Sequence, residues 1–320
     1  MRAIVTRAYG SEQEMRVEDL PTPTPKAQQI LVKIHACSVN PVDWKVLRGD
    51  FKLVTGRKPP IVLGGDFAGV VDRVGASVTA YAVGDPVWGH INAFKGGAYA
   101  EYIVVDEVNI DAKPSGLSFE DAASVPLAGL TAYQALVHHA KVSGSDRVLI
   151  NGCTGGIGTL AVQIAKALGC TVTGICSGKN ADLARQLGCD QVVDYHETDL
   201  LKSGLEFDVF FDAVGNVPFG RARAVLSPAG RYVTVVPSTM GLFVGSWLNA
   251  IRSQKYHAFL VESSSEDLAE LRRMVEGGQM KTMVQDIYPI NQISAANQQS
   301  STGRTVGKIV LKTAESGDWL

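Results

Sequence analysis

The stretch that decides the fold is RVLINGCTGGIGTLAVQIAK, residues 147–166, a short apolar run that breaks into closely spaced glycines and continues as an amphipathic helix. Residues 148–150 are typical of a buried parallel strand, and apolar side chains recur at helical spacing from Leu160 onwards. The turn between them contains four residues that allow the backbone to approach a ligand closely, namely Gly152, Gly155, Gly156 and Gly158. We therefore expect the N-terminus of the helix to face the diphosphate of a dinucleotide.

The spacing of these glycines, G-x-x-G-G-x-G, departs from the commonest dinucleotide fingerprint, so its context decides how it is interpreted. A second strand-like run, residues 171–175, follows the helix at the distance that a βαβ unit requires. The alternative is a glycine-rich helix start in an α/β core that binds no nucleotide. The order of strand, turn, helix and strand favours the dinucleotide site.

The end of the second strand predicts which dinucleotide binds. A site for NAD usually places Asp or Glu there, about 20 residues past the glycines, to accept hydrogen bonds from the ribose 2′-hydroxyl. This chain has Cys-Ser-Gly-Lys-Asn at residues 176–180, where Ser177 and Lys179 suit a 2′-phosphate that a carboxylate would repel. The predicted cofactor is NADPH, and the alternative for Lys179 is an ordinary solvated lysine.

Composition limits the remaining classes of function. The 320 residues are 46% hydrophobic and 19% charged, with a formal net charge of -2, so we expect no nucleic-acid partner. No apolar stretch is long enough to cross a bilayer, and no signal segment precedes the first strand-like residues. A cytoplasmic location is expected, with an organelle stroma or a peripheral membrane surface as alternatives.

The five cysteines lack C-x-x-C spacing and fit neither a zinc ribbon nor a disulfide framework.

The pattern of elements changes twice along the chain. Up to about Lys113, short β runs alternate with glycine and proline, as in a small barrel; from Ser118 to about Val261, strands alternate with helices, which predicts a parallel, doubly wound sheet. We expect strands at residues 30–39, 67–74, 85–90, 98–105, 208–211, 231–236 and 258–261. A helix at 266–275 and extended runs at 283–288 and 307–311 follow, and this last part of the chain is expected to rejoin the N-terminal sheet.

Several motifs, taken in order, resemble one family. They are SVNPVDWK at residues 38–45, GGDFAG at 64–69, VPLAGLTA at 125–132, the glycine turn, and GRTVGK at 303–308. The chain resembles, over nearly its whole length, the zinc-independent quinone oxidoreductases of the medium-chain dehydrogenase/reductase family. The resemblance implies an α/β fold in which a GroES-like β-barrel domain, residues 1–122 and 264–320, accompanies a Rossmann domain with a doubly wound parallel sheet, residues 123–263. It also implies that NADPH lies in the cleft between the domains and that the protein is a homodimer.

Zinc-dependent alcohol dehydrogenases of the same family bind catalytic zinc with two cysteines and a histidine. Motif alignment places Asn40, Gly65 and Leu127 at those positions, and none of them supplies the thiolate or imidazole that zinc prefers. The four-cysteine structural lobe is also missing, because no cysteine falls between Cys37 and Cys153. We expect no metal site, which disfavours alcohol oxidation and favours hydride transfer from NADPH to an electron-poor acceptor.

That acceptor is expected to be a quinone or an α,β-unsaturated carbonyl, such as an alkenal or enone, whose oxygen is polarised by hydrogen bonds. The resemblance implies catalytic roles for Lys45 and Asn40; the alternative is that Asp43 and Lys45 pin a loop through a local polar contact. An enoyl-thioester reductase and a non-catalytic NADPH-binding protein remain open as other functions. The residues expected around the acceptor are Trp44, Phe51, Phe94 and 240–247.

The turn sequences and the family pattern together imply a set of cofactor contacts. They are Lys45, Thr131, Gly155, Gly156, Ile157, Ser177, Lys179, Tyr195, Ala213, Val214, Phe259, Leu260, Val261 and Arg304. Asp212, which precedes two of them, is interpreted as a strand-end turn former rather than a catalytic group. Arg304 and Lys308, near the C-terminus, have two equally weighted interpretations: they reach the cofactor, or they are plain surface cations.

Overall fold

The computed structural model describes residues 1–52, 58–92, 94–235, 249, 252–313 and 316–319. The chain forms two units. The first comprises Met1–Leu127, Glu262–Gly277 and Thr282–Leu320, and the second comprises Ala128–Val261 and Gly278–Lys281. No helix among the described residues is both long and apolar enough to span a membrane. The predicted acceptor contacts at 240–247 lie outside the described residues.

The described elements follow one another in this order. The N-terminal part contains β1 (Arg2–Thr6), β2 (Met15–Asp19), β3 (Gln29–Val39), α1 (Pro41–Arg48), β4 (Ile61–Val62), β5 (Asp66–Val74), β6 (Pro86–His90), β7 (Tyr102–Asp106), β8 (Ile110–Ala112) and α2 (Phe119–Ala123). Next come α3 (Pro126–Tyr133), continued by a π-helix at Gln134–His139, β9 (Arg147–Asn151), α4 (Gly156–Ala167), β10 (Thr171–Cys176), α5 (Ala181–Gln186), β11 (Gln191–Asp194), β12 (Phe207–Asp212), α6 (Phe219–Ala222), β13 (Leu226–Thr234) and β14 (Lys255–Ala258). The C-terminal part contains α7 (Ser265–Glu276), β15 (Val284–Pro289), α8 (Ile293–Ser301) and β16 (Lys308–Lys312).

The first unit is built around β3, an eleven-residue strand that is mostly buried. It pairs antiparallel with β5, β7 and β16 in a sheet of order β15-β16-β3-β5-β6-β8, while β2, β1 and β4 form a separate sheet. Ile309 pairs with Val39, so the end of the chain rejoins the N-terminal sheet as predicted. The two ends of the sequence therefore share one hydrophobic core.

The second unit contains a six-stranded sheet in which every neighbouring pair is parallel. Its order is β11-β10-β9-β12-β13-β14, so the chain runs outwards in one direction from β9 and then in the other from β12. The carboxyl ends of two such central strands diverge and leave a crevice, which is where open α/β sheets bind ligands. The predicted α/β fold class, with one domain built on a Rossmann-type parallel sheet, is confirmed.

Several predicted strands have different bounds in the structure; the strand expected at 231–236, for example, is β13, which spans Leu226–Thr234. The strand expected at 258–261 is β14, which ends at Ala258, because its neighbour β13 ends at the paired Thr234. The strand expected at 98–105 begins only at Tyr102. Before it, the amides of Ala98 and Tyr99 donate to carbonyl oxygens of residues 63–64. These are hydrogen bonds between loops, not pairing between two strands.

Helix α4 packs very closely against the end of β9. A Cβ at Gly158 would lie 2.0 Å from the carbonyl oxygen of Gly152, a separation that real side chains do not adopt. Glycine at this position therefore sets how near the helix N-terminus comes to the strand end.

Gly158→Ala is expected to lower the free energy of unfolding by about 1–3 kcal/mol, because the added methyl group pushes α4 away from β9. Gly155→Ala is the matched control in the same turn. Its φ of -80° suits any residue, and its Cβ would lie 3.4 Å from the nearest atom, so its cost should stay below about 1 kcal/mol. Urea unfolding measures both, and equal losses would contradict the close-packing argument.

Candidate functional site

The turn after β9 lies at the crevice between β9 and β12. Gly152 adopts a φ of +78°, and a Cβ there would approach Val214 Cγ2 to 2.5 Å, so only glycine fits without displacing the loop after β12. Gly155 caps the twelve-residue helix α4, and Gly156 and Ile157 form its first turn, in which backbone amides have no helical partner. All three residues are partly exposed. These features fit a dinucleotide diphosphate.

The loop that faces this turn is held by Asp212, the last residue of β12. Its fully buried carboxylate accepts hydrogen bonds from Asn151 Nδ2 at 2.8 Å and from Tyr232 Oη at 3.1 Å. It also accepts from three backbone amides of the following loop, those of Val214, Gly215 and Val217. These bonds agree with the interpretation of Asp212 as a turn former, and they fix the loop that contains the predicted contacts Ala213 and Val214.

The segment after β10 contains the two residues predicted to select NADPH. Ser177 is partly exposed and Lys179 is exposed, within a 3-10 turn at Gly178–Asn180. A feature that sequence reasoning missed lies beside them: Asp194, at the end of β11, places Oδ2 2.2 Å from where a Gly178 Cβ would be. The other carboxylate oxygen of Asp194 accepts from the His196 amide at 2.9 Å, so this side chain also caps the turn after β11.

The other predicted cofactor contacts in the second unit range from buried to exposed. Tyr195, directly after β11, is 56% exposed, and Leu260, shortly after β14, is 51% exposed. Phe259 is buried, with its ring centroid 4.2 Å from that of His139. Thr131 is buried within α3, and Val261 is partly exposed. Because the carboxyl ends of parallel strands share one edge of a sheet, the fold brings together the predicted residues that follow β9, β10, β11 and β12.

In the first unit, the predicted catalytic residue Asn40 is the N-cap of α1, and the other, Lys45, lies in the last turn of that helix. Asp43 in the same helix is fully buried, and its Oδ2 accepts from the Asn40 backbone amide at 2.8 Å and from Tyr99 Oη at 2.9 Å. Lys45 is partly exposed, with Nζ 5.5 Å from the Trp44 ring centroid. Asp43 therefore pins this turn through Asn40 and Tyr99, while Lys45 lies over Trp44. The remaining predicted residue, Arg304, is exposed in the loop between α8 and β16.

Sequence reasoning gave no role to Asp66, the fully buried first residue of β5. Its Oδ2 accepts from Ser38 Oγ at 2.7 Å and from Asn40 Nδ2 at 2.9 Å. Its Oδ1 accepts from the Leu127 amide at 2.8 Å and lies 3.1 Å from His90 Nδ1. Asp66 is part of the GGDFAG motif, and a carboxylate within an apolar strand start was the signal that could have identified it.

The interpretation of Lys308 as a surface cation is wrong. Lys308 is only 6% exposed, and its Nζ donates to Asn40 Oδ1 and to the Val39 carbonyl, 3.3 Å away, and lies 3.5 Å from Asp66 Oδ2. It is buried because it opens β16, whose next residues pair with the end of β3. A lysine directly before a buried apolar strand was the available sequence signal. We refer to Asn40, Asp66 and Lys308 as the buried triad.

The two buried carboxylates near α1 differ in ionisation. Burial raises the pKa of the Asp43 carboxyl from its ordinary 3.8 to about 7, although hydrogen bonds from Asn40 and Tyr99 act in the other direction. Burial acts the same way on Asp66, but Lys308, His90 and Asn40 outweigh it and lower the pKa of Asp66 to about 2. Near neutral pH, Asp66 therefore carries a negative charge towards Lys308. Burial lowers the pKa of Lys308, and Asp66 and Asp43 act against that lowering.

The positions that bind zinc in related dehydrogenases do not fit that metal here. The Asn40 amide nitrogen already donates to Asp66, and the amide oxygen already accepts from Lys308, so this side chain has partners within the protein. A side chain at Gly65 would meet His90 Cε1 at 2.9 Å, and Leu127 offers no ligand atom in its side chain. Within the described part of the chain, no group of three or more His, Cys, Asp or Glu side chains is arranged to hold a metal ion.

Asp43→Asn is expected to flatten the pH dependence of stability. The raised pKa of Asp43 stabilises the fold below about pH 4, and that contribution is lost as the pH rises towards 7, by at most about 1.4 kcal/mol per pH unit. Asparagine does not titrate. The unfolding free energy of Asp43→Asn, relative to that of wild type, should therefore increase as the pH rises from 4 to 7. Asp19→Asn, an exposed site on β2, is the control, and urea unfolding from pH 4 to 8 is the measurement. Parallel curves for Asp43→Asn and wild type would contradict the assignment.

Comparison with known proteins gives a consistent result. The family model of the alcohol dehydrogenase GroES-like domain matches residues 26–115, and that of zinc-binding dehydrogenases matches residues 187–311. The chain is 31% identical to the chloroplast envelope quinone oxidoreductase homolog of Arabidopsis thaliana, over 98% of each chain. It is 35% identical to the trans-enoyl reductase pgmF of Aspergillus terreus, over 90% of this chain and 87% of that one.

Among solved structures, the quinone oxidoreductase from Coxiella burnetii superposes with a TM-score of 0.90 at 32% identity, covering 98% of this chain and 99% of that one. Both the sequence relatives and this structure therefore match nearly the full length. The protein belongs to the medium-chain dehydrogenase/reductase family, whose members are NAD(P)-dependent oxidoreductases.

Proposed function

We propose that this protein is an NADPH-dependent, zinc-free reductase that transfers hydride to a quinone or an α,β-unsaturated carbonyl, such as an alkenal or enone. The observation that carries the proposal is the glycine turn at the crevice between β9 and β12, which presents the N-terminus of α4 beside a loop fixed by Asp212. The domain limits at residues 122 and 264, the homodimer and the cytoplasmic location remain predictions.

The choice of NADPH rests on the segment after β10. Ser177 and the exposed Lys179 supply a hydroxyl and an ammonium where a carboxylate would select NADH. Asp194 is the feature that opposes this choice, because its carboxylate approaches Gly178. Its capping bond to the His196 amide gives Asp194 a structural role that is independent of the cofactor. The ammonium of Lys179 supports the proposed contact with a 2′-phosphate.

The proposed catalytic residues are Lys45 and Asn40. When bound, the nicotinamide supplies the hydride, and the protein has to position the acceptor and polarise its carbonyl oxygen. The partly exposed ammonium of Lys45 is suited to hold an oxygen of the cofactor ribose or of the acceptor. Zinc takes no part in the proposal, because Asn40, Gly65 and Leu127 do not offer ligands for it.

A second candidate is an enoyl-thioester reductase, which the similarity to a trans-enoyl reductase favours. Its substrate is also an α,β-unsaturated carbonyl, so the same hydride chemistry applies. A non-catalytic NADPH-binding protein is the third reading of the same residues. The loss of NADPH absorbance with a short quinone, a straight-chain enone and an enoyl-CoA separates the three. Turnover of none of them despite tight NADPH binding would remove both enzyme proposals.

Lys179→Ala is expected to raise the KM for NADPH about 10- to 100-fold and to leave the KM for NADH nearly unchanged, because Lys179 meets only the additional phosphate. Lys202→Ala is the control, since Lys202 lies on the same unit and pairs with Asp199 at 3.4 Å. Steady-state kinetics with both cofactors is the measurement. An equal loss with NADPH and NADH would rule out Lys179 as the phosphate contact.

A further inference from the structure

One member of the buried triad, Asn40, occupies a position that motif alignment matches to a zinc ligand of related dehydrogenases. Two of the three positions aligned with zinc ligands, Asn40 and Leu127, donate directly to Asp66, and the third, Gly65, is its neighbour in sequence. Lys308 supplies a positive charge to the same carboxylate, 3.5 Å away. A lysine side chain therefore lies against Asn40 and beside Asp66 in the described part of the chain.

The triad determines which way the Asn40 amide faces. An ammonium only donates hydrogen bonds, so the atom that Lys308 contacts has to be the amide oxygen. The ionised carboxylate of Asp66 only accepts, so the atom that it contacts has to be the amide nitrogen. The alternative rotamer, with oxygen and nitrogen exchanged, would place like groups against each other on both sides.

This arrangement leaves one amide hydrogen of Asn40 unused. Nδ2 carries two hydrogens, and Asp66 is the acceptor recorded for one of them among the described residues. Asn40 is 2% exposed, and a hydrogen bond in such a low-dielectric setting is stronger than one in water. The ammonium on Oδ1 also draws electron density from the amide, which makes the remaining N–H a better donor.

We propose that Lys308 is a positioning residue for the reaction: through Oδ1 it fixes and polarises the Asn40 amide, whose second N–H donates to the carbonyl oxygen of the acceptor. This inference rests on the proposed reductase function. When an enone accepts hydride at its β-carbon, the C=C electron pair shifts and negative charge collects on the carbonyl oxygen. A proton from solvent then completes the saturated product as NADPH is oxidised to NADP⁺.

The two acceptor classes differ in how much they need this donor. A high-potential quinone accepts hydride readily, whereas a simple enone depends on stabilisation of the charge on its oxygen. A loss of Asn40 polarisation should therefore slow enone reduction much more than quinone reduction. A purely structural role for Lys308 should reduce both rates by the same factor.

The test is Lys308→Met, which keeps the length of the side chain and removes its charge, with kcat measured on a short quinone and on a straight-chain enone. We expect a 10- to 100-fold fall with the enone, less than about threefold with the quinone, and an unchanged KM for NADPH. Lys312→Met, at the exposed end of the same strand, is the matched control and should leave both rates unchanged. Equal losses with both acceptors would overturn the proposal.

Asn40→Ala tests the same idea while keeping both charges of the Lys308–Asp66 pair, and so covers the case in which Lys308→Met does not fold. It should show the same selective loss with the enone, and the double variant should lose no more than Asn40→Ala alone, because Lys308 acts through Asn40. Additive losses, or an unselective loss in Asn40→Ala, would contradict the proposal. Failure of wild type to turn over any acceptor would instead refute the reductase function itself.

Discussion

The buried carboxylate of Asp66 is the constraint on which the first unit depends. A fully buried charge is tolerated only where hydrogen-bond donors and a counter-ion replace the water that it has lost. The donors come from Ser38 on β3, His90 at the end of β6, the amide of Leu127 and Lys308 on β16. These segments lie far apart in sequence, so satisfying one carboxylate requires the whole sheet and both ends of the chain to be in place.

The second unit solves a similar problem at the end of β12. Asp212 is fully buried, and its oxygens are satisfied by Asn151, Tyr232 and successive amides of the loop that follows. In both units a strand-end carboxylate thus organises the backbone of a candidate functional loop. The difference lies in the counter-charge: the described donors to Asp212 are neutral, whereas Asp66 faces an ammonium.

That difference bears on how the proposed zinc-free reductase would polarise its acceptor. Zinc supplies a fixed positive charge to oxygen atoms in its coordination sphere. Here Lys308 is held within hydrogen-bond reach of the Asn40 amide, and Asp66 offsets part of the cost of burying its charge, which lowers the pKa of Lys308. The same geometry explains why the pKa of Asp43 is raised and that of Asp66 is lowered. Lys308 approaches Asp66, whereas the two hydrogen bonds to Asp43 come from the uncharged Asn40 amide and Tyr99 hydroxyl.

The sequence by itself determined the parallel sheet, the glycine turn and the positions of most strands, because these depend on local periodicity and on the steric freedom of glycine. It also identified Asn40 and Asp212, although it could not say what either side chain touches. Tertiary structure alone decided that Lys308 is buried, that Asp66 anchors the triad and that Asp194 approaches Gly178. Burial and ion pairing at these positions depend on strands separated by tens to hundreds of residues, and no local pattern encodes which of them will meet.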